Sequence, residues 1–228
     1  MSNCSEKPTI IFDMDGTLLD LAYDDFIWND LLPIRYAEQH GCSLDQSQAT
    51  LYAFYQEHNH TLNWYSSRFW TSKVGVDVLA MQIEHKNKVG FRPHCLELLN
   101  YLKENHYPIW LATNADCAGL QFKLEHMGIA NYFDVIVSSE QIGHAKEFIE
   151  FWQGLNALHP FDAENVYFID DTEKVLNGAK KYGIKNLFSI QQPSSSKAVR
   201  ECSAYPMLDQ LTDLIPHLEQ VELEKKYA

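Results

Sequence analysis

Short apolar runs that stop abruptly at a polar residue recur along this chain. They occupy residues 9–12 before Asp13, 109–112 before Thr113, 135–137 before Ser138, 166–169 before Asp170, and 186–190 leading into Gln191. Runs this short, without polar alternation, read as strands buried on both faces, the pattern of a parallel sheet. Between them apolar residues return at helical spacing: Leu96, Leu99 and Leu102; Leu120, Leu124 and Met127, stopped by Gly128; Phe148, Trp152 and Leu155; Val175, Ala179 and Tyr182, stopped by Gly183. Alternation of strand and helix predicts an α/β fold, a Rossmann-like parallel sheet with helices against it.

The interval 21–90 breaks this rhythm. It lacks β-branched runs and instead shows helical stretches at 26–40, 51–58 and 64–74. It leaves the chain just after the first strand, at the sheet edge where ligand crevices of such folds open. The expected division is therefore a core of residues 1–20 and 91–228 and a helical cap of residues 21–90 placed over the crevice. After Pro193, the run Ser194, Ser195 and Ser196 predicts a short surface loop. Leucines at helical spacing from Leu208 to Leu218 predict a docked terminal helix, with a solvated end at Glu222, Glu224, Lys225 and Lys226.

Net charge narrows the partners. At −13 the protein repels polyanions, which argues against nucleic acid or an anionic membrane as a partner. A single metal ion and one lysine can still reverse the potential locally, so an anionic small substrate remains open. No window reaches the roughly 18 apolar residues of a bilayer span, and the N-terminus has no long apolar stretch of the kind that directs secretion. The five cysteines, Cys4, Cys42, Cys95, Cys117 and Cys202, are odd in number and form no CxxC pair. They read as reduced thiols in a cytoplasmic protein.

The chemistry concentrates at the strand ends. Asp13-Met14-Asp15-Gly16-Thr17 places one carboxylate at the end of the first strand and a second two residues on, with Gly16 permitting a tight turn. Alone, such a string is compatible with ordinary turn chemistry. Thr113-Asn114, Lys146 and Asp170-Asp171 would converge on the same sheet edge, and that set supplies what phosphoryl transfer requires. It holds a nucleophile, a place for a metal, clamps for the phosphoryl oxygens and an acid for the leaving group.

The set DxDGT, strand-end Thr, isolated Lys and strand-end Asp-Asp resembles the haloacid dehalogenase-type hydrolase superfamily over residues 9–189. The resemblance implies Asp13 as nucleophile forming an aspartyl-phosphate, and Asp15 as the acid and base that protonates the leaving alcohol and then activates water. It implies Mg²⁺ held by Asp13, Asp15 through its backbone carbonyl, and Asp170. Thr113, Asn114 and Lys146 would bind phosphate. Asp171 would support the ion or cap the helix opening at Thr172. Glu147 departs from the commoner Lys-Pro pattern. The second aspartate favours phosphate esters over carbon–halogen cleavage, since a halide leaves without a proton.

The strings LLDLAYDDFIWNDLLP, HTLNWY, LATNAD, KLEHMGI and FIDDTE are similar to those of the purine-nucleotide (GMP/IMP) 5′-nucleotidases of this superfamily. That likeness implies a purine nucleoside 5′-monophosphate as substrate, with His60, Asn63 and Trp64 as base or ribose contacts. The alternatives are a sugar-phosphate phosphatase or a phosphomutase of the β-phosphoglucomutase kind, and, from a different class, a silent binding protein on the same fold. Aromatics of the insert, among them Tyr23, Trp28, Tyr55 and Trp70, are expected mostly to build its own core. His58 and His60 lack a third ligand at metal spacing and read as surface or cap-facing. The protein is expected to act as a monomer or weak dimer.

Overall fold

The computed structural model describes residues 7–227. Cys4 and the rest of residues 1–6 lie outside it, as do the side chains of Glu222, Glu224, Lys225 and Lys226. Six strands, β1 (Thr9–Phe12), β2 (Ile109–Thr113), β3 (Val135–Ser138), β4 (Val166–Ile169), β5 (Asn186–Ile190) and β6 (Met207–Leu208), form one sheet in the order β3-β2-β1-β4-β5-β6. Every pairing is parallel. The fold is the expected α/β one, with the two-residue β6 as an added edge that the sequence pattern does not reveal.

Chain direction reverses around β1. Its neighbours are β2 on one side and β4 on the other, and Phe12 sits in register with both Leu111 and Ile169. β1 and β4 therefore end level, β2 runs on to Thr113, and the chain leaves these ends at the switch point where such sheets place their ligands.

Helices α1 (Ala22–Asp25), α2 (Leu32–His40), α3 (Leu44–His58), α4 (Ser67–Val74) and α5 (Val78–Glu84) lie between β1 and β2, with a π-helical stretch at Phe26–Leu31. The remainder are α6 (Cys95–Glu104), α7 (Cys117–Met127), α8 (Ser139–Ile142), α9 (Ile149–Leu158), α10 (Glu173–Tyr182) and α11 (Leu214–Tyr227). The interval expected to be helical is so, but α3 begins earlier, at a capping box of Ser43 and Gln46, and α5 is additional. Asp77 starts α5 by accepting from Ala80 N–H, a cap that a heptapeptide helix needs because it has few internal hydrogen bonds.

Side-chain alternation along the strands builds two cores. Ile10 and Phe12 join Leu98, Leu120 and Leu214 on one face, and this core runs on into the helices between β1 and β2. Ile11 faces the other way, against Trp152, Leu155 and Ala179 of α9 and α10. Each large apolar side chain buried there contributes about 1.5–3 kcal/mol. Two glycines let elements approach: a Cβ on Gly178 would stand 2.6 Å from the Lys146 carbonyl oxygen, and one on Gly16 would stand 2.8 Å from Asp171 Cγ. Gly16 also has φ +87°, the region glycine occupies without penalty.

Three expectations change. Leu208 lies in β6 and the terminal helix starts at Leu214, because Leu208 pairs with Ile190 in the sheet. Ser195 and Ser196 lie exposed on the expected surface loop, but Ser194 is buried, its hydroxyl donating to Asp25 Oδ2 at 2.7 Å. Asp171 does not cap the following helix: Thr172 is the N-cap residue, and its N–H is taken by Asp170 Oδ1 at 2.8 Å. Cys42, Cys95, Cys117 and Cys202 are free thiols. Among the described residues no helix is long and apolar enough to cross a membrane.

Candidate active site

Asp13 follows β1 directly, and its N–H donates to the Ile169 carbonyl at 2.9 Å, which ties the residue to the end of β4. Asp170 follows Ile169, the register partner of Phe12, so the two aspartates leave their strands side by side. Between the two carboxylates sits the ammonium of Lys146, 99% buried. Its Nζ donates to Asp13 Oδ1 at 2.5 Å, Asp170 Oδ2 at 2.7 Å and the Ala112 carbonyl at 2.9 Å. All three protons of the ammonium are thus satisfied.

Lys146 is held from behind as well. Its N–H donates to Asn114 Oδ1 at 2.9 Å, and its carbonyl accepts from Trp152 Nε1 at 2.9 Å. Thr113 ends β2 fully buried, its hydroxyl oxygen accepting from Ala115 N–H at 3.0 Å, a bond that shapes the turn next to the site. The structure therefore brings Asp13, Asp15, Thr113, Asn114, Lys146, Asp170 and Asp171 onto one cavity of about 340 Å³.

The electrostatics of this cavity are lopsided. Seven aspartates and two lysines line it. Burial pushes the Asp13 carboxyl up to about 7 against the pull of Lys146, with repulsion from Asp170 and Asp15 adding to the rise. Burial likewise lifts Asp170 to about 6, opposed by Lys146. It lifts Asp171 to about 7, with Asp13 adding and the Arg200 guanidinium opposing. For Lys146 burial disfavours the ammonium, but Asp13 and Asp170 outweigh it and hold the charge.

So many carboxylates would repel a phosphate dianion unless a cation sat among them. The donor set fits such an ion, since Mg²⁺ takes oxygen ligands and is bound through one or two carboxylates with water and phosphate oxygens completing the shell. Among the described residues no group of three or more Asp, Glu, His or Cys side chains is arranged as a metal site by itself.

Of the three expected substrate contacts only Trp64 lines the cavity. The His60 ring faces Glu147 at 3.4 Å, and Asn63 lies outside the lining. The helical segment gives the cavity an aromatic lining: Trp28, Tyr55, Trp64 and Trp70 meet edge to face, with Tyr55 and Trp70 ring centroids 5.3 Å apart. His58 packs edge-on against Phe69 and Trp70, so the two rings of the HxH string go to different partners.

Sequence reading missed four participants. Lys123 of α7 is 97% buried and donates to Asp15 Oδ1 at 2.7 Å and to both oxygens of Asp24 at 3.0 and 3.1 Å. Glu147, noted only as a departure from a motif, accepts from Tyr65 OH at 2.5 Å and Asn114 Nδ2 at 3.0 Å. Asp116 caps α7 through Gly119 N–H and also accepts from Ser67 N–H at 2.5 Å. Arg200 donates to the Asp171 carbonyl at 2.5 Å. One signal was available: Lys123 falls inside the Leu120, Leu124, Met127 stripe, where a lysine must find a buried partner.

A family model for haloacid dehalogenase-like hydrolases matches residues 10–188. The GMP/IMP nucleotidase YrfG of Escherichia coli (strain K12) is 33% identical over 210 residues, covering 92% of this chain and 95% of that protein. Among solved structures, the HAD phosphatase from Thermococcus onnurineus superposes with a TM-score of 0.77 at 17% identity, over 92% of this chain and 97% of that one. The HAD-hydrolase YfnB of Bacillus subtilis, solved bound to magnesium, superposes with a TM-score of 0.63 at 18% identity, over 94% and 99%.

Proposed function

Since the chain belongs to the haloacid dehalogenase-like hydrolases, and is a phosphomonoester hydrolase of that family, we propose that it hydrolyses purine nucleoside 5′-monophosphates through an aspartyl-phosphate. The observation that carries the chemistry is the Asp13–Lys146–Asp170 array at the strand switch point. The aromatic lining of the cavity and the likeness to YrfG support a nucleotide as substrate.

In this reading Asp13 attacks phosphorus with the oxygen that Lys146 leaves free, an acyl–phosphate bond forms, and the ester P–O bond breaks. Asp15 delivers a proton to the departing 5′-oxygen. Asp15 then takes a proton from water as that water attacks phosphorus, and phosphate leaves with Asp13 restored. Splitting one displacement into two easier ones is the gain of a covalent route, and one residue serves as acid and then base. Thr113 and Asn114 bind the phosphoryl oxygens, and the Lys146 ammonium, held on Asp13 and Asp170, offsets their charge. Asp13, Asp170 and the Asp15 carbonyl would hold Mg²⁺, with Asp171 in support. The ion supplies charge neutralisation on the phosphoryl oxygens.

Residues 21–90 act as a cap over a core formed by 1–20 and 91–228, and the aromatic lining selects the leaving group by stacking on a base. The protein works in the cytoplasm as a monomer or weak dimer. Phosphate release from a panel of nucleoside monophosphates and sugar phosphates, with Mg²⁺ and with EDTA, tests this. The expected result is metal-dependent release with the highest kcat/KM for GMP or IMP. Release from sugar phosphates alone would overturn the substrate, and sugar bisphosphate formation without release would point to a phosphomutase.

A further inference from the structure

Lys123 stands apart from the phosphate-side machinery and is as deeply buried as Lys146. It sits on α7, two turns beyond the end of β2, with its side chain 4% exposed. Its three protons go to two carboxylates: one to Asp15 Oδ1 at 2.7 Å, and the others to the two oxygens of Asp24 at 3.0 and 3.1 Å. Asp24 belongs to α1, the first helix after the DxDGT turn. The ammonium also lies 5.3 Å from the Tyr23 ring centroid, and the Tyr23 hydroxyl is fixed by donating to the Gln82 carbonyl at 2.6 Å. Lysine is thereby locked between the core, through Asp15, and the helical segment, through Asp24.

A flexible aspartate side chain on a turn can point in several directions, and each misdirected rotamer is lost to catalysis. Here Oδ1 of Asp15 is occupied, so Oδ2 is the oxygen that can face a substrate. We propose that Lys123, anchored by Asp24, is a positioning residue that holds the Asp15 carboxyl toward the leaving-group oxygen. This rests on the reading of Asp15 as acid and base. Because the anchor is on α1, the same ion triad couples the placement of the helical segment to that of the proton donor.

The test uses substituted phenyl phosphates, which differ in leaving-group acidity and hardly in shape. The ratio kcat/KM reports the steps up to departure of the leaving group, so hydrolysis of the aspartyl-phosphate does not enter. p-Nitrophenolate leaves without a proton, whereas phenolate benefits from one. In Lys123→Met, kcat/KM for phenyl phosphate is expected to fall roughly 100-fold, the lower range for loss of a general acid, with p-nitrophenyl phosphate changing by less than about threefold. Lys123→Arg is expected to recover most of the loss.

Equal losses across the series would show a merely structural role and overturn the inference. Removing Lys123 leaves two buried carboxylates facing each other, which destabilises the fold. Should Lys123→Met not fold, Lys123→Met/Asp24→Asn carries the same comparison with that repulsion removed. A wild-type protein that hydrolyses no phosphate ester at all would overturn the reading of Asp15, and this inference with it.

Discussion

The two walls of the cavity are built differently. On the sheet side Asp13, Lys146 and Asp170 are each fixed by hydrogen bonds in which main chain takes part: Asp13 through its N–H to the Ile169 carbonyl, Lys146 through its N–H to Asn114 and its carbonyl to Trp152, and Asp170 through the Thr172 N–H it accepts. The helical side reaches the sheet side through a few side-chain tethers, Asp24 to Lys123, Tyr65 to Glu147, and Ser67 N–H to Asp116, and presents aromatic faces. Backbone-held groups keep sub-ångström geometry, which the transfer of a phosphoryl group demands. Side-chain tethers permit adjustment, which suits the part of a site that chooses among leaving groups.

If this contrast is right, damage on the sheet side is severe and blind to substrate, whereas damage to the tethers is mild and selective. Asp13→Asn heads the order: kcat is expected to fall by roughly 10⁴-fold or more for every ester, with cooperative thermal unfolding retained. Retained turnover in that variant would break the contrast at its centre.

Lys146→Met follows, with an expected loss of about 10²–10³ in kcat. Because the lysine is fully buried between Asp13 and Asp170, its removal also costs about 3–5 kcal/mol of stability, measurable by urea unfolding. A variant as stable as the wild type would show that the array is not held together by charge.

Metal removal sharpens the comparison on the sheet side alone. Asp13, Asp170 and Asp171 have pKa values of about 7, 6 and 7 in the fold against a usual 3.8. The folded protein thus keeps protons that the unfolded chain releases, and stability of the metal-free protein falls as pH rises from about 4 to 7. Mg²⁺ binds the ionised form, so its stabilising effect on Tm should be larger at neutral pH than at pH near 5. An Mg²⁺ effect on Tm that does not change with pH would place the ion away from these carboxylates.

Tyr65→Phe is the smallest test. It deletes one hydrogen bond to a largely buried carboxylate, Glu147, whose other oxygen holds Asn114. Stability is expected to drop by about 1.5–3 kcal/mol, and KM for nucleotides to rise while kcat on p-nitrophenyl phosphate changes little. A uniform loss of kcat would assign the tether to the chemistry instead.

What the sequence makes legible follows the same division. The strand ends could be read because Asp13, Thr113 and Asp170 each close a short apolar run, and a parallel sheet brings such ends together regardless of side-chain detail. The tethers could not, because Lys123 meets Asp15 across 108 residues and Tyr65 meets Glu147 across 82, distances over which spacing carries no signal. The likeness to the purine 5′-nucleotidases implied His60 and Asn63 as substrate contacts, yet a left-handed backbone at His60 (φ +61°) precedes the turn and the ring goes to Glu147. β6 is two residues long and has no pattern of its own; its pairing with β5 makes it a strand.

The central claim is that Asp13 carries the phosphoryl group. Acid quenching during turnover of p-nitrophenyl phosphate, reduction of the trapped acyl phosphate with borohydride, and peptide mass mapping test it directly. The account predicts modification at Asp13 alone, absent from Asp13→Asn. Modification at another residue, or a quenched enzyme free of label while phosphate is released in a burst, would contradict it.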